Sequence, residues 1–338
     1  MARGYHPSES SVELLPVDRL EVQVLVDNVS DQLSTNPNGV RSELARLLSA
    51  GMTEWGGESI CCAHHGLSLI LTAHANGARH TLLFDTGPEG YAVERNGQRL
   101  GVDFDAIECV VLSHGHWDHG GGLPKALELI SKHNTDRKVP VYLHPDVFRS
   151  RGFRLPSGEI VPFKDVPGPE ALSKKGGSVI CVSEPRCLLE GCFYISWEIA
   201  RVTTYEQGFP NHMRKAEDGV TWEPDPFIID EQFLAVRVKE KGLIIFTACS
   251  HAGVVNVLKQ ARATFPAIPL YAVMGGFHLS GSGPEKIIPE TVRDLQSFDL
   301  RMIIPGHCTG WRAITALVNA FGEEVVVPSA VGKHYLLE

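Results

Sequence analysis

Apolar and polar residues alternate along Leu20–Asp27 (LEVQVLVD), a valine-rich period of two that predicts a β-strand. Leu67–Thr72 and His80–Phe84 carry the same signature and flank Asn76-Gly77, a pair suited to a hairpin turn. In Val40–Leu48, the leucines at 44, 47 and 48 share one face and predict a short helix. The apolar run Ala106–Leu112 stops abruptly at Ser113-His114-Gly115-His116, and Pro124–Lys132 then predicts a helix with its proline in the first turn. Val139–Leu143, Phe233–Val238, Leu243–Phe246, Leu270–Val273 and Met302–Ile304 predict strands, with helices at Val254–Thr264 and Pro289–Ser297. The last three of those strands each run into a histidine-bearing turn: Cys249-Ser250-His251, Gly275-Gly276-Phe277-His278 and Pro305-Gly306-His307-Cys308. Between about 134 and 225 the period is lost and Gly, Pro and charged residues accumulate, which predicts long loops laid over a rigid scaffold. The pattern divides the chain into a loose tail over 1–19 and a single domain over 20–338 that carries this insertion.

Composition narrows the function classes. Of 338 residues, 43% are hydrophobic and 21% charged, the balance of a globular protein with ample chain for a core. A net charge of −9 excludes the basic footprint of a general nucleic-acid binder. No apolar run approaches the roughly 18 residues of a membrane span. The early stretch carries Glu9, Glu13, Asp18 and Glu21 and lacks the apolar core of a signal peptide, so a cytoplasmic location is expected. Eight cysteines in so long a chain read as thiols, and Cys181, Cys187 and Cys192 lack the close CxxC pair of a metal site.

Candidate chemistry concentrates in Ser113-His114-Gly115-His116-Trp117-Asp118-His119-Gly120-Gly121-Gly122. Three imidazoles and one carboxylate within six residues form a ligand set suited to zinc, manganese or iron. In a loop leaving a strand, alternate residues point the same way, so His114 and His116 can grip one ion while Asp118 and His119 turn toward a second. A capping or solvated histidine cluster is the bland alternative, and such density without a metal is uncommon. There is no G-x-S-x-G elbow, P-loop or G-x-G-x-x-G, so serine-nucleophile and nucleotide-driven mechanisms lack support.

The H-x-H-x-D-H run resembles the signature of the metallo-β-lactamase fold superfamily, together with Asp85-Thr86-Gly87 and Pro305-Gly306-His307. His65-Gly66-Leu67-Ser68-Leu69, Leu100-Gly101-Val102-Asp103, Cys249-Ser250-His251-Ala252-Gly253, Gly275-Gly276-Phe277-His278-Leu279 and His307-Cys308-Thr309-Gly310 are similar to the subgroup of 7,8-dihydropterin-6-methyl-4-(β-D-ribofuranosyl)-aminobenzene-5'-phosphate synthase. The resemblance implies an α+β fold, a four-layer αββα sandwich with metals at one edge. It implies His114 and His116 as ligands of a first ion, Asp118, His119 and His307 as ligands of a second, and His251 as a further ligand. Many superfamily members place a bridging aspartate where Cys249-Ser250-His251 stands, so Cys249 is either a ligand or a packed thiol. No upstream histidine clearly fills the middle-ligand position, for which His212 is a candidate.

His278 can serve as a ligand, a proton donor to a leaving group or a structural residue, and Asp118 as the group that orients or deprotonates water. His144 is open between supporting a ligand and packing, and His64 and His65 read as structural residues remote from the metal motifs. Arg149, Arg151 and Arg154 offer contacts to an anionic substrate unless they are simply solvated. The expectation is a hydrolase with two divalent ions, zinc ahead of manganese or iron, acting on a small ester, lactone or phosphoester. The alternatives are a synthase-like transferase and a metal-holding sensor with little turnover. The expected partner is a small molecule, anionic if the arginines meet it, and aromatic residues in the insertion are compatible with a homodimer.

Overall fold

The computed structural model describes residues 13–133 and 136–338. Alternation along the strands sorts side chains between two faces, and this builds the layers. In Gly242–Thr247, Ile244 and Phe246 enter one buried cluster while Leu243 and Ile245 enter another. In Ala78–Phe84, Leu82 and Phe84 join the first cluster while Leu83 joins a third. The first cluster is the seam between two sheets, and the other two lie between each sheet and its helices.

One sheet has eight strands, ordered Gly177–Cys181, Val139–Leu143, Cys109–Val111, Ala78–Phe84, Ser68–Ala75, Arg19–Val26, His334–Leu337 and Val40–Arg41. Gly90–Arg99 and Leu123–Ile130 cover its outer face through Ala92, Val93, Leu123 and Leu127. The other sheet has seven strands, six of them in the order Arg186–Leu188, Phe193–Ile195, Leu234–Val238, Gly242–Thr247, Leu270–Gly275 and Met302–Pro305. Val254–Thr264, Ile288–Leu295 and Trp311–Phe321 pack on its outer face. Gly242–Thr247, Leu270–Gly275 and Met302–Pro305 are parallel neighbours, as are Ala78–Phe84, Cys109–Val111 and Val139–Leu143. Parallel neighbours send their outgoing loops to the same end of a sheet, which is where the histidine turns gather.

Much of the expected tail lies outside the described residues. Within it, Pro16–Val17 pairs in parallel with Arg237 and Val238 as the seventh strand. The expected helix over Val40–Leu48 is a strand, Val40–Arg41, followed by the helix Glu43–Ser49, whose first turn is capped by Ser42 Oγ accepting Ala45 N–H at 3.2 Å.

The stretch read as long loops also carries eight short strands, of which Val139–Leu143 was predicted. Val139–Leu143 and Gly177–Cys181 extend one main sheet, and Arg186–Leu188 and Phe193–Ile195 extend the other. Trp222–Pro224, His212–Lys215, Arg151–Arg154 and Ile160–Pro162 form a separate four-stranded sheet in that order. Strands of three to five residues are too short to display a period, which is why the pattern failed there.

Candidate metal centre

The loop after Cys109–Val111 is held by Asp85, a non-glycine residue at φ 57°. Its carboxylate accepts Ser113 N–H at 2.8 Å, Ser113 Oγ–H at 2.7 Å and His119 Nδ1–H at 2.7 Å. Ser113 Oγ, its hydrogen spent on Asp85, accepts from His114 Nδ1 at 2.9 Å. Asp230 Oδ2 receives Gly115 N–H at 2.7 Å, and Arg151 Nη2 donates to Asp230 Oδ1 at 2.7 Å. A Cβ on Gly115 would lie 2.2 Å from Arg151 Nη1, so only glycine fits there. Arg151 is therefore buried behind the metal loop rather than offered to a substrate. Arg149 is committed to Asp146 at 3.1 Å, and only Arg154 of the three is exposed.

Three sets of ligand atoms lie within 4.8 Å of one another: Asp118, His119, Cys249 and His307; His114, His116 and His251; and Cys249, His251 and His278. The predicted residues are thus brought to one place, with Cys249 among them. His212 comes to the same place, its Nε2 2.9 Å from His116 Nε2. His144 stacks on Trp197 at 4.2 Å and joins none of these sets. His65, expected to be remote, instead lies 3.5 Å from Asp118 Oδ2 through its Nε2.

Hydrogen bonds fix which imidazole nitrogens remain for a cation. His119 Nδ1 donates to Asp85, His114 Nδ1 to Ser113 and His212 Nδ1 to the Asp225 carbonyl at 2.9 Å. Each therefore turns an Nε2 lone pair into the site. His116 meets two of these lone pairs, His114 Nε2 at 3.0 Å from its Nδ1 and His212 Nε2 at 2.9 Å from its Nε2. A neutral imidazole has one hydrogen and can satisfy only one of them. A second proton is disfavoured, because burial first and the rings of His114, His251 and His212 next hold His116 well below the usual histidine range. Both ring nitrogens of His251 and Nε2 of His307 are buried without a hydrogen-bond partner among the described residues. Such a set of unspent donors fits divalent metal binding.

The second group is electronegative. Burial penalises the Asp118 carboxylate, yet His119 and His307 outweigh it and hold Asp118 well below the usual carboxylate range. Burial also opposes charge on His307, but Cys308 and Asp118 push its pKa up to about 9.

Several supporting residues escaped the sequence reading. Glu231 accepts His251 N–H at 2.7 Å and Ala252 N–H at 2.6 Å. Asp27 accepts His307 N–H at 3.0 Å, and Asn28 Oδ1 accepts His307 Nδ1–H at 3.0 Å. Asp230-Glu231 did leave a signal: two acids between Ile228-Ile229 and Phe233, where burial demands partners. From the small sheet and its loops, Phe163 approaches the His116 ring at 5.5 Å, and Phe209 approaches the His278 ring at 5.0 Å.

Residues 68–307 match the sequence model of the family described as the metallo-beta-lactamase superfamily. A curated relative from Methanocaldococcus jannaschii, named 7,8-dihydropterin-6-methyl-4-(beta-D-ribofuranosyl)-aminobenzene-5'-phosphate synthase, is 30% identical over 78% of this chain and 86% of its own length. Among solved structures, Tm1679, described as a metal-dependent hydrolase of the beta-lactamase superfamily, aligns with a TM-score of 0.67 at 23% identity, covering 94% of this chain and 98% of its own. Unliganded yeast PDE1 aligns with a TM-score of 0.53 at 14% identity, covering 96% and 100%. At these identities the two structures speak for the fold alone.

Proposed function

The chain belongs to the metallo-β-lactamase superfamily, and from that premise we propose that it is a metal-dependent hydrolase of a small ester, lactone or phosphoester. The observation that carries this reading is the convergence of His114, His116 and His251 in one buried ligand set and of Asp118, His119, Cys249 and His307 in another, with both nitrogens of His251 and Nε2 of His307 left without a hydrogen-bond partner among the described residues. His114, His116 and His251 would hold one divalent ion, and Asp118, His119, His307 and Cys249 a second, with zinc ahead of manganese or iron for this donor set. When bound, such ions supply a water of lowered pKa and polarise the oxygen of the scissile group.

The chain's own residues divide the remaining work. Asp118, held ionised by His119 and His307, orients the attacking water through its carboxylate. His278 stands with its ring 4.5 Å from that of His251 and donates a proton to the leaving group. Burial opposes its charged form, but Cys308 and Glu231 raise its pKa, which favours that role. Phe163 and Phe209 exclude water from one side of the reacting centre.

The test is metal analysis of protein purified without added metal, followed by turnover of an ester, lactone and phosphoester panel. Two equivalents of metal with chelator-sensitive turnover, reduced about 10²–10⁴-fold by Asp118→Ala, support the reading. Metal-loaded protein that turns over none of the panel sinks it. A second reading, a synthase-type transferase, is favoured by the 30% identity to the Methanocaldococcus jannaschii relative. Condensation of a dihydropterin with an aminobenzene ribose phosphate by the purified protein would establish that reading, and its absence would remove it.

A further inference from the structure

His65 opens the His-Gly-Leu-Ser-Leu run, and none of the roles above uses it. Its imidazole stands at the mouth of the second ligand group, with its ring 5.1 Å from that of His307 and 5.9 Å from that of Trp117. The side chain is 56% exposed, whereas that of Asp118 is 11% exposed and that of His307 is fully covered. A half-open histidine needs no fixed orientation for packing, yet this ring is oriented from behind by Asn28.

The Asn28 side chain makes four hydrogen bonds, and two involve backbone groups of fixed polarity. Gly66 N–H donates to Asn28 Oδ1 at 3.0 Å, and Asn28 Nδ2 donates to the His307 carbonyl at 3.2 Å. Those two bonds establish which end of the amide is oxygen. The other two follow: Oδ1 accepts from His307 Nδ1 at 3.0 Å, and Nδ2 donates to His65 Nδ1 at 3.1 Å. One amide thus imposes opposite tautomers on two neighbouring imidazoles. His307 carries hydrogen on Nδ1 and leaves Nε2 for a cation, while His65 accepts on Nδ1 and turns Nε2–H toward the site. Gly66 permits the close approach of this turn to the ligand loop, since at φ +153° an added Cβ would lie 2.4 Å from the Asp118 carbonyl oxygen. At 3.5 Å, Asp118 Oδ2 is too far to consume the Nε2–H in a good hydrogen bond.

We propose that His65 is a substrate-binding residue whose Nε2–H donates to an anionic phosphoryl or carboxylate oxygen of a substrate held beside Asp118 and His307. The proposal rests on the hydrolytic reading of the site and adds the group that grips the substrate on the side of the second ion.

Two measurements test it without turnover. Long-range ¹H–¹⁵N spectra of histidine-labelled protein report the tautomer, with His65 assigned by the signals lost in His65→Gln. Hydrogen on Nε2 alone, giving way to mixed tautomers in Asn28→Ala, is the expected result, and hydrogen on Nδ1 overturns the proposal. Calorimetry of zinc-loaded protein with inorganic phosphate reports the grip, with metal content measured alongside. His65→Phe is expected to weaken phosphate binding about threefold to tenfold at unchanged metal content. His65→Gln, whose amide N–H can replace Nε2–H, is expected to remain within about twofold of wild type. Undiminished binding in the phenylalanine variant, loss of metal from it, or a wild type that binds no phosphate would each overturn the assignment. A wild type that binds phosphate as expected but hydrolyses nothing would instead count against the hydrolytic reading.

Discussion

At the scale of single residues, His307 sets up a competition between a proton and a metal ion for one nitrogen. Its Nδ1 hydrogen is committed to Asn28, so Nε2 takes whichever cation is present. In metal-free protein the pKa is about 9, above the ordinary histidine value of 6.5. The stability from the charged ring is therefore complete below pH 6.5 and is lost as pH rises through about 9, with a ceiling on the order of 3 kcal/mol. Metal uptake at pH 7.5 should release close to one proton from this residue and far less above pH 9. Calorimetric titration of metal in buffers of different ionisation enthalpy measures that number, and His307→Gln should remove it. Glu231 makes a separate prediction, because both its oxygens receive backbone N–H groups beside His251. Glu231→Gln puts an amide N–H against one of those donors, and metal affinity should fall about 10- to 100-fold in a chelator competition. His114, His116, Asp118 and His119 were legible because they are adjacent in sequence. Asn28 and His65 were not, since Asn28 acquires its meaning from His307, 279 residues away.

At the scale of elements, Val254–Thr264 shows how a helix here is begun by a distant residue. Gly253 precedes it at φ 93°, and Glu206, on the connection between Phe193–Ile195 and His212–Lys215, accepts Val255 N–H and Asn256 N–H, both at 2.9 Å. A Cβ at Gly253 would fall 2.0 Å from the Glu206 carboxyl carbon, so glycine makes room for the cap. Glu206→Ala should cost about 1–2 kcal/mol in urea unfolding and speed amide exchange in the first turn of that helix. Sequence alone located the helix itself, residue for residue, because its apolar spacing is local. The cap was invisible because Glu206 lies far from the turn it completes. The small sheet was invisible for a related reason, since Arg151–Arg154 and His212–Lys215 are specified by each other across a long connection.

At the scale of the molecule, the eight-stranded sheet takes the last strand of the chain into its interior. His334–Leu337 lies between Arg19–Val26 and Val40–Arg41, and Tyr335 on it is fully buried in the seam between the sheets. Tyr335→Ala should therefore destabilise the whole fold by about 3–5 kcal/mol, seen as a lower midpoint of a single cooperative transition. Among the described residues no helix is long and apolar enough to cross a membrane. The central strands were legible from alternation and the sandwich from the resemblance that the histidine motifs carry, whereas Gly90–Arg99 and Trp311–Phe321 went unread as helices before the structure placed them on its outer faces.

The strand order bears on how the protein is made on the ribosome. His334–Leu337 is an interior strand, and Asn28 waits for His307. Neither the sheet nor the second ligand group can be completed while the later residues are still to be synthesised. A chain interrupted before His307 lacks one of the four residues that come together in that group. A copy that ends before His307 also lacks the interior strand, so its eight-stranded sheet stays unfinished.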